Sequence, residues 1–545
     1  MQRHASSNFL VAALAAALAI TSAPAQDAAF LGKSLNKWVE ELGNKDARVR
    51  RSAAFALGKM GPGAFQAVPK LVRSLKDKDA LVREAAATAL GEIGPSPWEG
   101  TLVGLIDSLA NDADANVKRS SARALGKLGK QSAAADDEPV NQIRDALTKA
   151  LADSQPAVRQ NAAWAIGQLG AKNGVPALPK LRSLLNDPDP LVRRDAAGAL
   201  REFGASAQPA VSSLLACFKS DKDLEVRKSA LNALVNIVGP QNKDVTRELS
   251  AGLRDGDTKI VHDAALALAK IGGREAASAV PVLCELLQEK DASERRQAAA
   301  ALGHLGPEAA AGVPALATAL ADRDPVVRRN AALSLAHIGP KAAPAVPALV
   351  RLFEAREPDE VRVYAAEALA HISPAIEPAI PGLLRVLKED GNWRVRQRAA
   401  WALARLENPE RAGVFPALTA VLSEKDAETR ILRYECAVIL GDLQGSAVEE
   451  KVIELLQALL KDKEVQVYTG TEAKVKSTGT ETRGADAGVT PIHSGDPRWM
   501  AAEALGRIGK KANRPEIIRS LKEAVDAADT RVRDAAKEAL RKIQG

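Results

Sequence analysis

Aromatic residues make up only 3% of this 545-residue sequence, and cysteine occurs three times. So few rings argue against a large globular core. Alanine supplies much of the 46% hydrophobic share, which suits closely packed helices. Cys217, Cys284 and Cys436 lie far apart inside helical patterns without a C-x-x-C pair, which excludes a cysteine zinc site and reads as core thiols. Charge of one sign is also scarce. The net charge of +7 (75 − 68), or +6 without Arg3, is a weak field over so long a chain, and no Lys/Arg block marks a nucleic-acid tail. An acidic partner is permitted but not required.

The one marked apolar run comes first. Arg3 precedes the run from Phe9 to Ile20, followed by Ala23-Pro24-Ala25, the pattern of a secretory signal peptide with an A-x-A cleavage site. Residues 1–25 are therefore expected to be removed, leaving an exported chain that begins near Gln26 and works in the periplasm or outside the cell. The run is too short to span a bilayer permanently, and no later stretch reaches the roughly 20 apolar residues a spanning helix needs.

What fills the rest is one sentence repeated. Its clearest copy runs from Asp324 to Pro358, DPVVRRNAALSLAHIGPKAAPAVPALVRLFEAREP, and reads as two short helices. Aligned on a Val-Arg pair, the first helices recur at Val49, Val82, Val117, Val158, Val192, Val226, Ile260, Glu294, Val327, Val361, Val395, Leu432, Pro497 and Val532. Successive differences are 33 to 35 residues except for 41, 37 and 65 at three places, so the period is about 34. Length alone suggests three or four domains; the period predicts instead a single elongated array over residues 26–545.

Within each copy the residue four after the Val is small, and the eighth is usually Leu followed by Gly or Ala. Offsets 0, 4, 8 and 11 form one narrow stripe of a helix, and small residues beside it let neighbours approach closely. Gly-Pro pairs such as Gly61-Pro62, Gly306-Pro307 and Gly339-Pro340 end the first helix, and a further Pro, as at Pro69, Pro314 and Pro347, opens the second. Ser34 to Leu42 predicts a lone helix capping the start of the array. Two interruptions break the period: a polar loop from Lys130 to Asn141, and a Thr/Gly/Ser-rich insertion over 465–495, read as a flexible loop or a weak hairpin.

The paired-Asp turn, Val-Arg, A-A-x-A-L-G-x-I-G-P and A-V-P-x-L together resemble the HEAT-repeat family, and most closely its short phycobilisome-lyase-type subclass. The fold class expected is therefore all-α, an α-α superhelix or HEAT-type solenoid of about fourteen helical-hairpin repeats. GKSLNKW beside a signal peptide is similar to exported bacterial HEAT-repeat proteins. The resemblance implies that the recurring Arg and the Asp six residues before it form the ladder linking successive turns. It also implies that second helices line the concave wall, where Arg351 and Arg385 stand at matching places in adjacent copies.

His304, His337 and His371 hold one position in three consecutive copies. Neighbours in such a row stand roughly 8–10 Å apart, too far to converge within about 2.1 Å of one metal. Deoxyhypusine hydroxylase, an enzyme of HEAT fold, holds two irons with His-Glu pairs. Here the histidines precede Leu305, Ile338 and Ile372, and no His-Glu pair occurs. The row reads either as solvent-facing filler or as a set gaining charge below about pH 6.5 and modulating a partner. Phe55, Trp164 and Trp401 are scattered and form no patch.

No nucleophile-base pair, phosphate loop, bilin-handling cluster or cofactor motif is recognisable. The reading is a non-enzymatic exported scaffold binding a protein or extended peptide on its concave face or long loop. Arg351, Arg385, His304, His337, His371 and Tyr468, the last in the insertion, are its candidate contacts, and no cofactor is expected. The alternatives are a lyase-type enzyme or subunit acting on a small ligand, and nucleic-acid binding, which predicts a continuous basic groove.

Overall fold

The opening turn of each first helix has N–H groups with no partner inside the helix, and the paired-Asp turns supply them. In Asp77-Lys78-Asp79, Asp77 Oδ1 accepts from the Asp79 N–H at 2.9 Å. Asp79 Oδ1 in turn accepts from the Leu81 N–H at 2.9 Å, capping the helix Ala80–Ile93. Asp187 with Asp189 and Asp322 with Asp324 repeat the division. One carboxylate shapes the turn and the other starts the helix.

The computed structural model describes residues 29–95, 98–131, 138–239, 242–353, 357–373, 376–408, 413–425, 429–443, 450–462 and 496–545. The expected leader, the 465–495 insertion and Tyr468 lie outside them. Among the described residues there are fourteen first helices: Ala47–Met60, Ala80–Ile93, Ala115–Gln131, Pro156–Gln168, Pro190–Glu202, Leu224–Ile237, Thr258–Ile271, Ala292–Leu305, Pro325–Ile338, Asp359–Ile372, Trp393–Ala404, Arg430–Asp442, Arg498–Ile508 and Thr530–Gln544. They define repeats 1 to 14, and the fold is all-α, of solenoid type. No described helix is long and apolar enough to cross a membrane.

The connection inside a repeat is more ordered than a Gly-Pro break suggests. Gly61, Gly306 and Gly339 take positive φ (59°, 56° and 72°), a region costly for residues with a Cβ. The chain then runs as a 3-10 turn (Gly61–Ala67, Gly306–Gly312, Gly339–Ala345) straight into a short second helix (Val68–Ser74, Val313–Ala319, Val346–Arg351). Pro fits the first turn of both segments because no acceptor awaits its missing N–H. Gly239 departs from this: the helix before it ends at Ile237 and Val238 is extended. The polar loop expected from Lys130 to Asn141 is shorter than that. Helix continues to Gln131 and resumes at Glu138, whose carboxylate suits the positive end of the helix it opens.

Packing divides the chain at Ala267/Leu268 into two compact units. In the N-terminal unit a two-residue hairpin, Ala29–Phe30 with Lys33–Ser34, leads into the helix Leu35–Glu41. Trp38 is buried there and donates from Nε1 to the Phe30 carbonyl at 3.0 Å, so the expected capping helix is present, with a hairpin the sequence did not announce.

In both units the first helices touch through glycine and alanine. A Cβ on Gly91 would lie 2.8 Å from Ala124 Cα, one on Gly126 2.7 Å from Ala165 Cα, and one on Gly506 2.8 Å from Ala539 Cα. Residues at the stripe positions, such as Val82, Ala86, Leu90 and Ile93, are buried, and the second helix of the preceding repeat, Val68–Ser74, packs on this first helix.

Candidate functional site

The most regular charges are consumed inside the stack. Arg83 Nε and Nη2 each donate to Asp112 at 2.8 Å, while its Nη1 donates to the Asp77 carbonyl at 2.9 Å. Arg50–Asp77, Arg159–Asp187 and Arg193–Asp221 form matching forks in the N-terminal unit, and Arg295–Asp322 and Arg362–Asp390 in the C-terminal unit. The ladder implied by the resemblance is therefore present. Glutamates extend it where no Asp stands six residues before the next repeat's Arg, Arg362 or Arg433: Arg328 reaches Glu357 at 2.6 Å, and Arg396 reaches Glu424. Lys118 makes a single contact of 3.0 Å to Asp153, and Val261 has no donor to offer.

The planar fork of arginine matches a carboxylate, and partial burial strengthens the pair. The Arg50 hydrogen bond holds the Asp77 carboxyl below the usual range against the opposing effect of burial. At Asp187, burial pushes upward, but the Arg159 fork and the Asp189 N–H outweigh it and the carboxyl again lies low. These groups are saturated and leave little for a ligand.

The second helices differ. Arg351 and Arg385 are both exposed, on Val346–Arg351 and Ile380–Glu389. The two helices are adjacent, since a Cβ on Gly382 would meet Val350 Cγ1 at 3.5 Å. Arg385 Nη2 makes one long contact, 3.5 Å, to the Phe353 carbonyl. Neither guanidinium has a carboxylate partner among the described residues.

The three histidines sit at the C-terminal ends of the first helices of repeats 8, 9 and 10. Burial lowers the His304 pKa, with nearby Lys270 adding to it. Burial also lowers that of His337, and repulsion from His304 and His371 outlines the row. His371 Nδ1 is 3.0 Å from the Glu367 carbonyl. No group of three or more His, Cys, Asp or Glu able to hold a metal occurs among the described residues. All three cysteines are free; Cys217 and Cys436 are buried, and Cys284 is partly so.

Two polar clefts that sequence reasoning missed lie along first helices. One, of about 420 Å³, is lined by Glu84, Arg119, Arg123 and Gln160, and there Arg119 pairs with Glu84 at 2.8 Å while Arg123 stacks 4.8 Å from the Trp164 ring centre. The other, of about 470 Å³, is lined by Trp499, Glu503, Asp534 and Glu538. Their signal was the outward positions two and six after the Val, which look unremarkable in one helix and form a cleft only between two.

A family model described as HEAT repeats matches residues 35–126, 102–201, 144–235, 211–302, 280–370 and 380–473. No curated protein matches the sequence. Among solved structures, a homology model of the full-length AP-3 complex is similar over 99% of both chains, at 14% identity and a TM-score of 0.57. A structure of Kap95p with RanGDP is similar over 94% of this chain and 70% of its own, at 15% identity and a TM-score of 0.50. An engineered protein is 24% identical over 75% of this chain and 99% of its own, with a TM-score of 0.38.

Proposed function

The chain belongs to the HEAT-repeat family, and from that premise we propose that it is an exported, non-enzymatic scaffold binding a protein or an extended peptide on the face of its second helices, with the 465–495 insertion as a further contact. One contrast carries this reading. Ladder guanidiniums are forked onto carboxylates, whereas Arg351 and Arg385, side by side on adjacent second helices, are exposed without such a partner among the described residues. A guanidinium not forked onto a carboxylate can take a partner's carboxylate or backbone carbonyl without first breaking an internal fork.

Export rests on Arg3, the Phe9–Ile20 run and Ala23-Pro24-Ala25, and the insertion enters through its length and Tyr468. The reaction of a lyase would require polar groups converging in an enclosed pocket, and the Arg351–Arg385 face is open instead.

The test is affinity capture from a periplasmic or extracellular fraction with three baits: the mature chain, an Arg351→Ala/Arg385→Ala variant, and a chain whose residues 466–495 are replaced by a Gly-Ser linker. A protein held by the mature chain and lost from the double variant supports the second-helix face. One lost only from the linker variant moves recognition to the insertion. Capture that ignores both changes, or mature protein whose N-terminus still carries residues 1–25, overturns the corresponding part.

A further inference from the structure

Each first helix carries one outward position near its C-terminal end, ten residues after the position aligned with Val. In the N-terminal unit this position mixes signs: Lys59, Glu92, Lys127 and Glu202 occur there, and Lys127 pairs with Glu92. In the C-terminal unit five consecutive repeats present Lys270, His304, His337, His371 and Arg405, without a carboxylate among them. The next two, Asp442 and Arg507, neutralise one another.

The five form one file. Lys270 acts electrostatically on His304, and His337 is hydrogen-bonded to the Gly303 backbone and feels both His304 and His371. Ser373, two residues past His371, donates from Oγ to the Arg405 carbonyl at 2.7 Å. None of the five makes an ion pair among the described residues. Glu367 favours the charged form of His337, but its side chain is buried and turned to Arg398 at 3.6 Å. Glu308 and Lys341 stand on the turns after the helices of His304 and His337, and Lys341 Nζ donates to the Pro307 carbonyl at 3.4 Å.

We propose that this file is a docking surface for an extended acidic segment of a partner protein, engaged when the three imidazoles are protonated. Protonation takes the file from two positive charges to five. Adjacent first helices lie about 8–10 Å apart, and three residues of a polyproline II chain span about 9 Å at roughly 3.1 Å each and bring the side chain back to the same face. A segment with Asp or Glu at every third residue thus meets one cation per repeat. Burial holds His304 and His337 below the ordinary histidine value, so acidification favours charge at these two positions of the file.

The experiment is titration of the full chain with a peptide of five Asp-Ser-Gly triplets at low ionic strength, at pH 7.5 and pH 5.5, where Asp (pKa about 3.9) stays ionised. Affinity is expected to rise at least tenfold on acidification. That rise should vanish in a His304→Gln/His337→Gln/His371→Gln variant and persist in Arg351→Ala/Arg385→Ala, so this surface and the second-helix reading fail separately. His337→Arg, charged at both pH values, should bind more tightly than the parent at pH 7.5 and so covers the case in which the triple variant does not fold. A pH-independent affinity, a slope unchanged in the triple variant, or equal binding of a peptide with its five Asp residues clustered would overturn the proposal.

Discussion

Arg83 and Asp112 stand one repeat apart and meet through two hydrogen bonds of 2.8 Å, while Arg83 Nη1 also holds the carbonyl of Asp77, which opens its own turn. One side chain thereby ties the start of its own helix to the start of the next. Arg83→Ala leaves the Asp112 carboxylate largely buried without its fork, and is expected to cost about 2–3 kcal/mol in urea denaturation. Burial pushes Asp112 upward, but the Arg83 fork and the Asp114 N–H prevail and keep it low. Its folded pKa therefore lies below the unfolded value of about 3.9. The contribution is complete above about pH 4 and disappears as pH falls through the folded value. The gap between parent and Asp112→Asn should accordingly narrow at pH 3; a midpoint unmoved by Arg83→Ala would show the fork to be energetically silent.

Two glycines should respond in opposite directions to one methyl group. Gly126→Ala drives a Cβ to 2.6 Å from Ala165 Cβ and 2.7 Å from its Cα, which is backbone and has nowhere to go. A loss of about 1–3 kcal/mol is expected. Gly198 lies within the helix Pro190–Glu202, and a Cβ there meets nothing within 4 Å. Gly198→Ala should therefore stabilise by about 0.5–1 kcal/mol, through reduced freedom of the unfolded chain. Circular dichroism melts of both variants decide it, and a matching sign in the two would contradict the packing described.

Histidine titration should make the free protein less stable in mild acid. His304 and His337 bind protons less readily folded than at the unfolded value of about 6.5. Between the folded and unfolded values the unfolded chain carries more protons, so stability falls as pH drops below about 6.5 and levels off once the folded groups also protonate. Urea midpoints of the parent should decline from pH 7.5 to 5.5 more steeply than those of His304→Gln/His337→Gln. Parallel curves would mean that these rings are as basic folded as unfolded.

Thiol chemistry should separate the three cysteines. Burial pushes Cys217 up to about 11, Cys436 is fully enclosed and pushed up further, and partly exposed Cys284 is raised mainly by burial. Brief iodoacetamide treatment of native protein at pH 8, read by peptide mass spectrometry, should label Cys284 slowly and spare the other two until urea is added. Early labelling of Cys436 would contradict its burial in the helix Arg430–Asp442.

The repeat was legible because each copy spells its own joints: paired Asp for the turn, Val-Arg for the fork, Leu-Gly for the contact with the next helix. Glu357 and Glu424 were missed as ladder partners because a pattern counted on Asp does not see the longer side chain that reaches the same guanidinium. The 3-10 turns were missed because Gly-Pro signals where a helix stops and carries no signal for the geometry of the next few residues. The His file was half visible. Three histidines stood out, but Lys270 and Arg405 became its ends only once the register was read across five packed helices. The clefts beside Arg123–Trp164 and Trp499 belong to pairs of helices, and no single helix encodes them.

The two-carboxylate turn has a consequence for how such a chain changes length. Asp77 answers to the repeat behind it, through Arg50, and Asp79 to the helix ahead. Copying one 34-residue stretch into the array would therefore create two junctions already provided with their chemistry, and removing one would leave a junction of the same kind. Growth and shortening by whole copies need no new interface to be invented, whereas inserting half a copy would strand an arginine and a carboxylate at once.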